Sequence, residues 1–167
     1  DGLRVRILSR GLGVVYKRQV MDLPINLSGT FGELRTNHFH SGIDVKTNRV
    51  EGLNIYSYEK GYISRIQVST YGYGKAIYIT HPDGKITVYA HLSKFSEKIQ
   101  NYVKDIQYKR KKFAIKVYPK ESEILIEKNE IIGYSGNTGS SSGPHLHFEL
   151  RDKNNMPVNL SLIHIWR

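Results

Sequence analysis

The chain has no cysteine, only five prolines and one tryptophan among its 167 residues. Without cysteine there is no disulfide framework, no thiolate-bound zinc and no cysteine nucleophile, although the compartment stays open. No apolar run approaches the roughly 20 residues that a spanning helix needs, and mean hydropathy is −0.44, which argues against a membrane protein. Acidic residues are few beside basic ones, 15 against 25, for a formal charge of +10. Such a balance invites a nucleic-acid reading, which predicts basic residues clustered with aromatics on one face. Here they are scattered apart from the run Lys109, Arg110, Lys111, Lys112, so no nucleic-acid partner is expected. Fifteen glycines and twelve tyrosines fit one turn-rich globular domain with a real core.

The two ends differ from the middle. Residues 1–19 carry Arg4, Arg6, Arg10, Lys17 and Arg18 against one acid, Asp1. Arg6 and Arg10 interrupt any apolar stretch long enough for a signal peptide. The terminal octapeptide LSLIHIWR and the pentapeptide VYKRQ at 15–19 both resemble translations of one sequencing-library adapter, read from its two strands. The expectation is therefore a domain over residues 20–159, truncated at both ends and flanked by non-native extensions at 1–19 and 160–167. An ordinary basic arm and a short amphipathic tail are the alternative. On the first division, half of the charge leaves with the ends, and the middle keeps 19 basic against 14 acidic residues.

From 50 to 92 the pattern is strand after strand. Segments 54–58, 62–70, 75–81 and 86–91 are rich in Ile, Val, Tyr and Thr, and Lys60-Gly61, Gly72, Gly74 and Pro82-Asp83-Gly84 punctuate them. Phe95, Ile99, Tyr102, Val103 and Ile106 follow the spacing of one helix face, with the basic run straight after. Segments 113–118, 124–127, 130–134 and 145–151 read as further strands. The fold class is mostly antiparallel β with one inserted helix.

Three clusters carry chemistry. In GPHLHFELR, strand alternation puts His145, His147 and Glu149 on one face and Leu146, Phe148 and Leu150 on the other. Such an HxH pair is by itself equally consistent with surface histidines. In HFHSGID, His40 and Asp44 stand four apart around Gly42; two imidazoles and one carboxylate form a known catalytic zinc set with an open water position. His38 is the rival ligand, read as a surface or supporting histidine. In YAHLS, alternation places Tyr89 and His91 on one strand face, opposite Val88, Ala90 and Leu92. His81 reads as a turn histidine before Pro82. No glutamate occupies an HExxH frame, so a thermolysin-like base is absent.

Taken jointly, these clusters and SGTFGELR, GYISRI, YGYGKAIYITHPDG and EIIGYSGNTGSSSGPHLHFELRD resemble the lysostaphin- and LytM-like zinc metallopeptidases, peptidase family M23, over about residues 27–159. The resemblance implies a two-layer antiparallel β domain, of the LytM and duplicated-hybrid-motif type, with a groove across one sheet. It implies one zinc ion held by His40, Asp44 and His147, with His91 and His145 as catalytic histidines that do not bind the metal. The activity it implies is hydrolysis of peptide cross-links in bacterial peptidoglycan by a metal-activated water. The two histidines would donate hydrogen bonds to the oxyanion or shuttle the proton. The partners implied are peptidoglycan peptide stems met by a monomeric domain in the cell envelope, periplasmic or extracellular, with possible envelope association through flanking regions.

The stretch 94–128 looks like an insertion of larger envelope-type relatives. Tyr71 and Tyr73 either wall the substrate groove or cap the core, Glu149 either orients a histidine or is solvated, and the Gly136 to Gly143 loop, leading into His145, is expected to shape the site. The basic run is either a solvated turn or a contact for anionic polymers. A non-catalytic wall-binding or amidase-activating module is the alternative function; such modules lose metal ligands, and this sequence keeps His40, Asp44 and His147.

Overall fold

The structure, a computed structural model, describes residues 20–36 and 38–160. The extensions expected at 1–19 and over most of 160–167 lie outside the described residues, except that Leu160 is buried in the main core. The described residues form eleven strands and one helix: β1 (Leu27–Gly29), β2 (Ile43–Lys46), β3 (Asn54–Tyr56), β4 (Gly61–Val68), β5 (Ala76–Thr80), β6 (Ile86–Ala90), β7 (Lys94–Phe95), α1 (Glu97–Arg110), β8 (Ile115–Val117), β9 (Leu125–Ile126), β10 (Ile131–Tyr134) and β11 (His145–Arg151). None of these is a helix long and apolar enough to cross a membrane.

Every strand pairing is antiparallel. The large sheet runs β1-β2-β11-β6-β5-β4-β8, with β9 also on β4, and a small sheet runs β3-β10-β7. The main core contains Met21, Ile55, Ile63, Ile66, Ile77, Tyr89, Ile132, Leu146 and Phe148, drawn from both sheets. Burying such side chains stabilises the fold by roughly 1.5–3 kcal/mol each. A register shift between Ile63 and Arg65 marks an irregularity in β4, so Ile63 and Ile66, three apart, are both fully buried.

Helix α1 starts two residues later than the apolar spacing suggests. Phe95 belongs to β7, opposite Gly133, while Ile99 and Val103 form the buried stripe. The helix then runs on through Lys109 and Arg110, so half of the basic run is its last turn, where cations suit the carbonyl end of the helix dipole. The sequence reading gave no strand at β1, β2 or β7.

Tyr89 and His91 do not share a face. Tyr89 lies in the core, its ring 5.3 Å from Phe148 and its hydroxyl accepting the Tyr58 N–H at 2.8 Å. Strand β6 ends at Ala90, and His91 has φ 59, a left-handed backbone that ordinary residues adopt only at a cost of order 1–3 kcal/mol. Alternation breaks at that point, so His91 leaves the core side and Leu92 takes a place in it. The backbone is held there by the His91 N–H donating to Tyr73 O at 3.0 Å and the Leu92 N–H to Lys75 O at 3.1 Å.

Candidate metal centre

Sheet register builds the centre of the site. Asp44 on β2 lies directly opposite His147 on β11, and His147 lies opposite Ala90 on β6. His40 arrives from the segment before β2, where Gly42 passes so close to β11 that a Cβ would collide with the Phe148 carbonyl. Gly29 is equally constrained, because a Cβ there would strike Arg35 Nη2 and Asp44 Oδ2. Three ligand atoms, one from each of His40, Asp44 and His147, fall within 4.8 Å of one another, and all three residues are buried.

The hydrogen bonds fix which ring nitrogens face inward. His40 Nδ1 donates to Thr30 O at 2.8 Å, leaving Nε2 toward the centre, 3.0 Å from Asp44 Oδ1. His147 Nε2 donates to Glu149 Oε1 at 2.9 Å, leaving Nδ1 3.0 Å from Asp44 Oδ1 and 2.9 Å from His40 Nε2. Two neutral imidazoles so anchored would present lone pairs to each other and to a carboxylate, an arrangement that only positive charge relieves. Burial opposes ionisation of Asp44, yet bonds from His145, His147 and His40 hold it well below the ordinary carboxylate range. Burial likewise opposes charge on His147, but Asp44 and Glu149 push its pKa up. A proton and a dication would answer the same negative potential. The residues present therefore fit a divalent cation, and two imidazoles with one carboxylate suit zinc.

Glu149 supports this centre from beneath. It is fully buried, so the solvated alternative fails. Its Oε1 accepts from His147, from Ser41 Oγ at 2.6 Å and from Tyr73 OH, and its Oε2 accepts from Arg151 Nε at 2.6 Å. Burial works against its charge, but His147 and Arg151 hold the pKa down at about 2. Glu149→Ala would strand those donors. The expected loss is about 3–5 kcal/mol of stability in urea denaturation and about 10–100-fold in zinc affinity by chelator competition.

The remaining histidines sort clearly. His91 Nδ1 donates to Thr138 O at 2.8 Å, leaving Nε2 as its free nitrogen, and burial lowers its pKa to about 4. His145 Nδ1 lies 2.8 Å from Gly143 O, and its Nε2 lies 3.5 Å from Asp44 Oδ1. The two rings are 4.7 Å apart. His38 is exposed and lines the cleft mouth without joining the ligand cluster. His81 sits at the turn read from sequence, its ring bonded to Lys60 O and Thr87 Oγ1 at 2.8 Å each.

A cleft of about 620 Å³ opens over these groups. Tyr73 lines it, its ring stacked 5.2 Å from His147, whereas Tyr71 is 78% exposed and is not among the lining residues. The Gly136 to Gly143 loop forms one rim and is tied to the Tyr71 to Gly74 loop by Ser140 N–H to Gly72 O and Gly72 N–H to Ser140 Oγ, at 2.8 and 2.9 Å. Arg35, singled out only as part of SGTFGELR, donates to Asp44 Oδ2 at 2.8 Å. Nothing in its spacing announced that contact, which exists only once β1 and β2 pair.

The family profile described as Peptidase family M23 matches residues 38–108 and 114–160. The DD-carboxypeptidase/endopeptidase Mpg of Neisseria meningitidis is 34% identical over 126 residues, 75% of this chain and 23% of that protein. Lysostaphin of Staphylococcus simulans is 32% identical over 111 residues, 66% of this chain and 17% of its own length. Among solved structures, Helicobacter pylori Csd3 superposes with a TM-score of 0.54 at 29% identity, covering 84% of this chain and 32% of that one. The chain thus spans less than a quarter of either of these two relatives.

Proposed function

The chain belongs to peptidase family M23, and on that premise we propose that it is a zinc-dependent endopeptidase that hydrolyses peptide cross-links of bacterial peptidoglycan. The observation that carries this reading is the inward-facing donor set of His40, Asp44 and His147 beside two further imidazoles on the wall of one cleft. His40, Asp44 and His147 would hold a zinc ion, which would supply Lewis acidity for a scissile carbonyl and for a water whose pKa it would bring to about 7.

The chain's own residues do the rest. His91, neutral at working pH because its pKa lies near 4, accepts the proton of the attacking water at Nε2. Its bond to Thr138 O keeps that nitrogen available. His145, held at Nδ1 by Gly143 O, lies with its ring 4.7 Å from that of His91, and the proton that His91 takes from the water passes through this pair to the leaving amine. Tyr73 walls the cleft and donates a hydrogen bond from its hydroxyl to Glu149, so it shapes the site by packing against His147.

The bond we assign is the D-alanyl–diaminopimelate cross-link, in preference to a glycine bridge, and the place of action is the cell envelope. The name of the Neisseria relative, a DD-carboxypeptidase/endopeptidase, supports this choice. Digestion of defined muropeptides of both types, with identification of the new amine, tests it. Release of the diaminopimelate amine is expected; cleavage confined to the glycine bridge would reverse the assignment, and no cleavage of either by zinc-loaded protein would overturn the enzyme reading.

A further inference from the structure

The match to the family stops at residue 108 and resumes at 114, so it steps over Lys109, Arg110, Lys111, Lys112 and Phe113. Charge concentrates around the same place. Residues 94–128 hold ten basic and five acidic side chains, while the rest of residues 20–160 holds nine of each. All of the net positive charge across residues 20–160 thus rides on residues 94–128, which the family match covers except at 109–113. From 98 to 120 the only carboxylate is Asp105, among eight cations.

The turn that carries the run is fixed. Lys111 takes φ 51, ending α1 in a left-handed residue. The Lys111 N–H donates to Tyr108 O at 3.2 Å and the Lys112 N–H to Gln107 O at 3.1 Å. Gln107 Nε2 reaches across to Phe113 O at 2.6 Å. Beside the turn, Lys104, Tyr108, Lys111, Lys112 and Phe113 border an open hollow of about 530 Å³. Tyr108 is 81% exposed and Phe113 64%.

Cations alone would suit any polyanion. A phenylalanine ring held in water among lysines suits a partner that offers negative charge and an apolar layer together. Anionic phospholipid does so, taking Lys and Arg at its headgroups and aromatic rings at the boundary beneath. We propose that the turn from 109 to 113, with Tyr108 and Lys104, docks this domain on an anionic phospholipid surface. The turn leads into β8, the strand at the far edge of the large sheet, four strand spacings from β11. That is about 19 Å across the sheet, so docking leaves the cleft uncovered. The inference does not depend on the peptidase reading.

Co-sedimentation of the whole chain with vesicles of phosphatidylcholine, with and without phosphatidylglycerol, tests it. Binding to the anionic vesicles only, weakening as salt is raised, is expected. At about 1 kcal/mol per cation, replacing Lys109, Arg110, Lys111 and Lys112 together by glutamine would lower the partition coefficient by about 100-fold or more, with zinc content unchanged. Phe113→Ala would lower it several-fold on vesicles and leave binding to soluble polyphosphate unaltered. Equal binding to both vesicle types, binding indifferent to salt, or an unaffected quadruple variant would overturn the proposal. So would a Phe113→Ala variant that binds vesicles as well as the parent, which would mark a polyanion site instead.

Discussion

His147→Ala is expected to leave the purified protein without stoichiometric zinc and to reduce hydrolysis to background, a loss on the order of 10⁴-fold or more. The side chain has two engaged nitrogens: Nδ1 closes the donor set with His40 and Asp44, and Nε2 is anchored by Glu149. Alanine removes one of the three candidate donors and one of the bonds that hold the carboxylate beneath. Metal analysis after dialysis and lysis of purified cell wall measure the two effects separately. Retained lysis by a metal-free variant would contradict the assignment of this histidine.

His91→Ala and His145→Ala are expected to behave differently, each keeping its zinc while slowing turnover by about 10²–10⁴-fold, the range of positioned acid–base groups. Neither ring belongs to the ligand cluster. His91 carries a second consequence. The unfolded chain protonates an imidazole near 6.5, the folded chain protonates this one only near 4, so folding is penalised as pH falls through that window. The penalty approaches about 3 kcal/mol at its acid end. Acid unfolding of the His91→Ala variant should therefore be shifted to lower pH, and an unshifted midpoint would count against the buried neutral ring. By the same logic, an acid limb in kcat/KM above pH 5 would belong to another group.

Much of this site is legible in the sequence because strand alternation is a local rule. His147 and Glu149 share a face as their spacing requires, and the apolar trio between and beside them fills the core. His91 shows where the rule ends: one left-handed residue after Ala90 reverses the faces, and no composition signal announces it. Arg35 and Ser41 were illegible for another reason. Arg35 meets Asp44 only through the pairing of β1 with β2, and Ser41 meets Glu149 across 108 residues of chain. The apolar period shows the helix but starts it two residues early, since Phe95 serves a neighbouring strand instead.

The absence of cysteine acquires a different meaning beside the spacing of the ligands. His40 and His147 are 107 positions apart, Asp44 and His147 103. A cation held between them joins the beginning of the fold to its last strand, as a cross-link would. In chain-entropy terms, closing a loop of about 100 residues removes close to 5 kcal/mol of freedom from the unfolded ensemble when the tie persists there, and metal ties resist unfolding by favouring the native donors. The short strands β1 and β2, at the sheet edge, gain most from such a fastening. Amide hydrogen exchange in Ile43 to Lys46 should accelerate on chelation more than in β5, which lies three strands away.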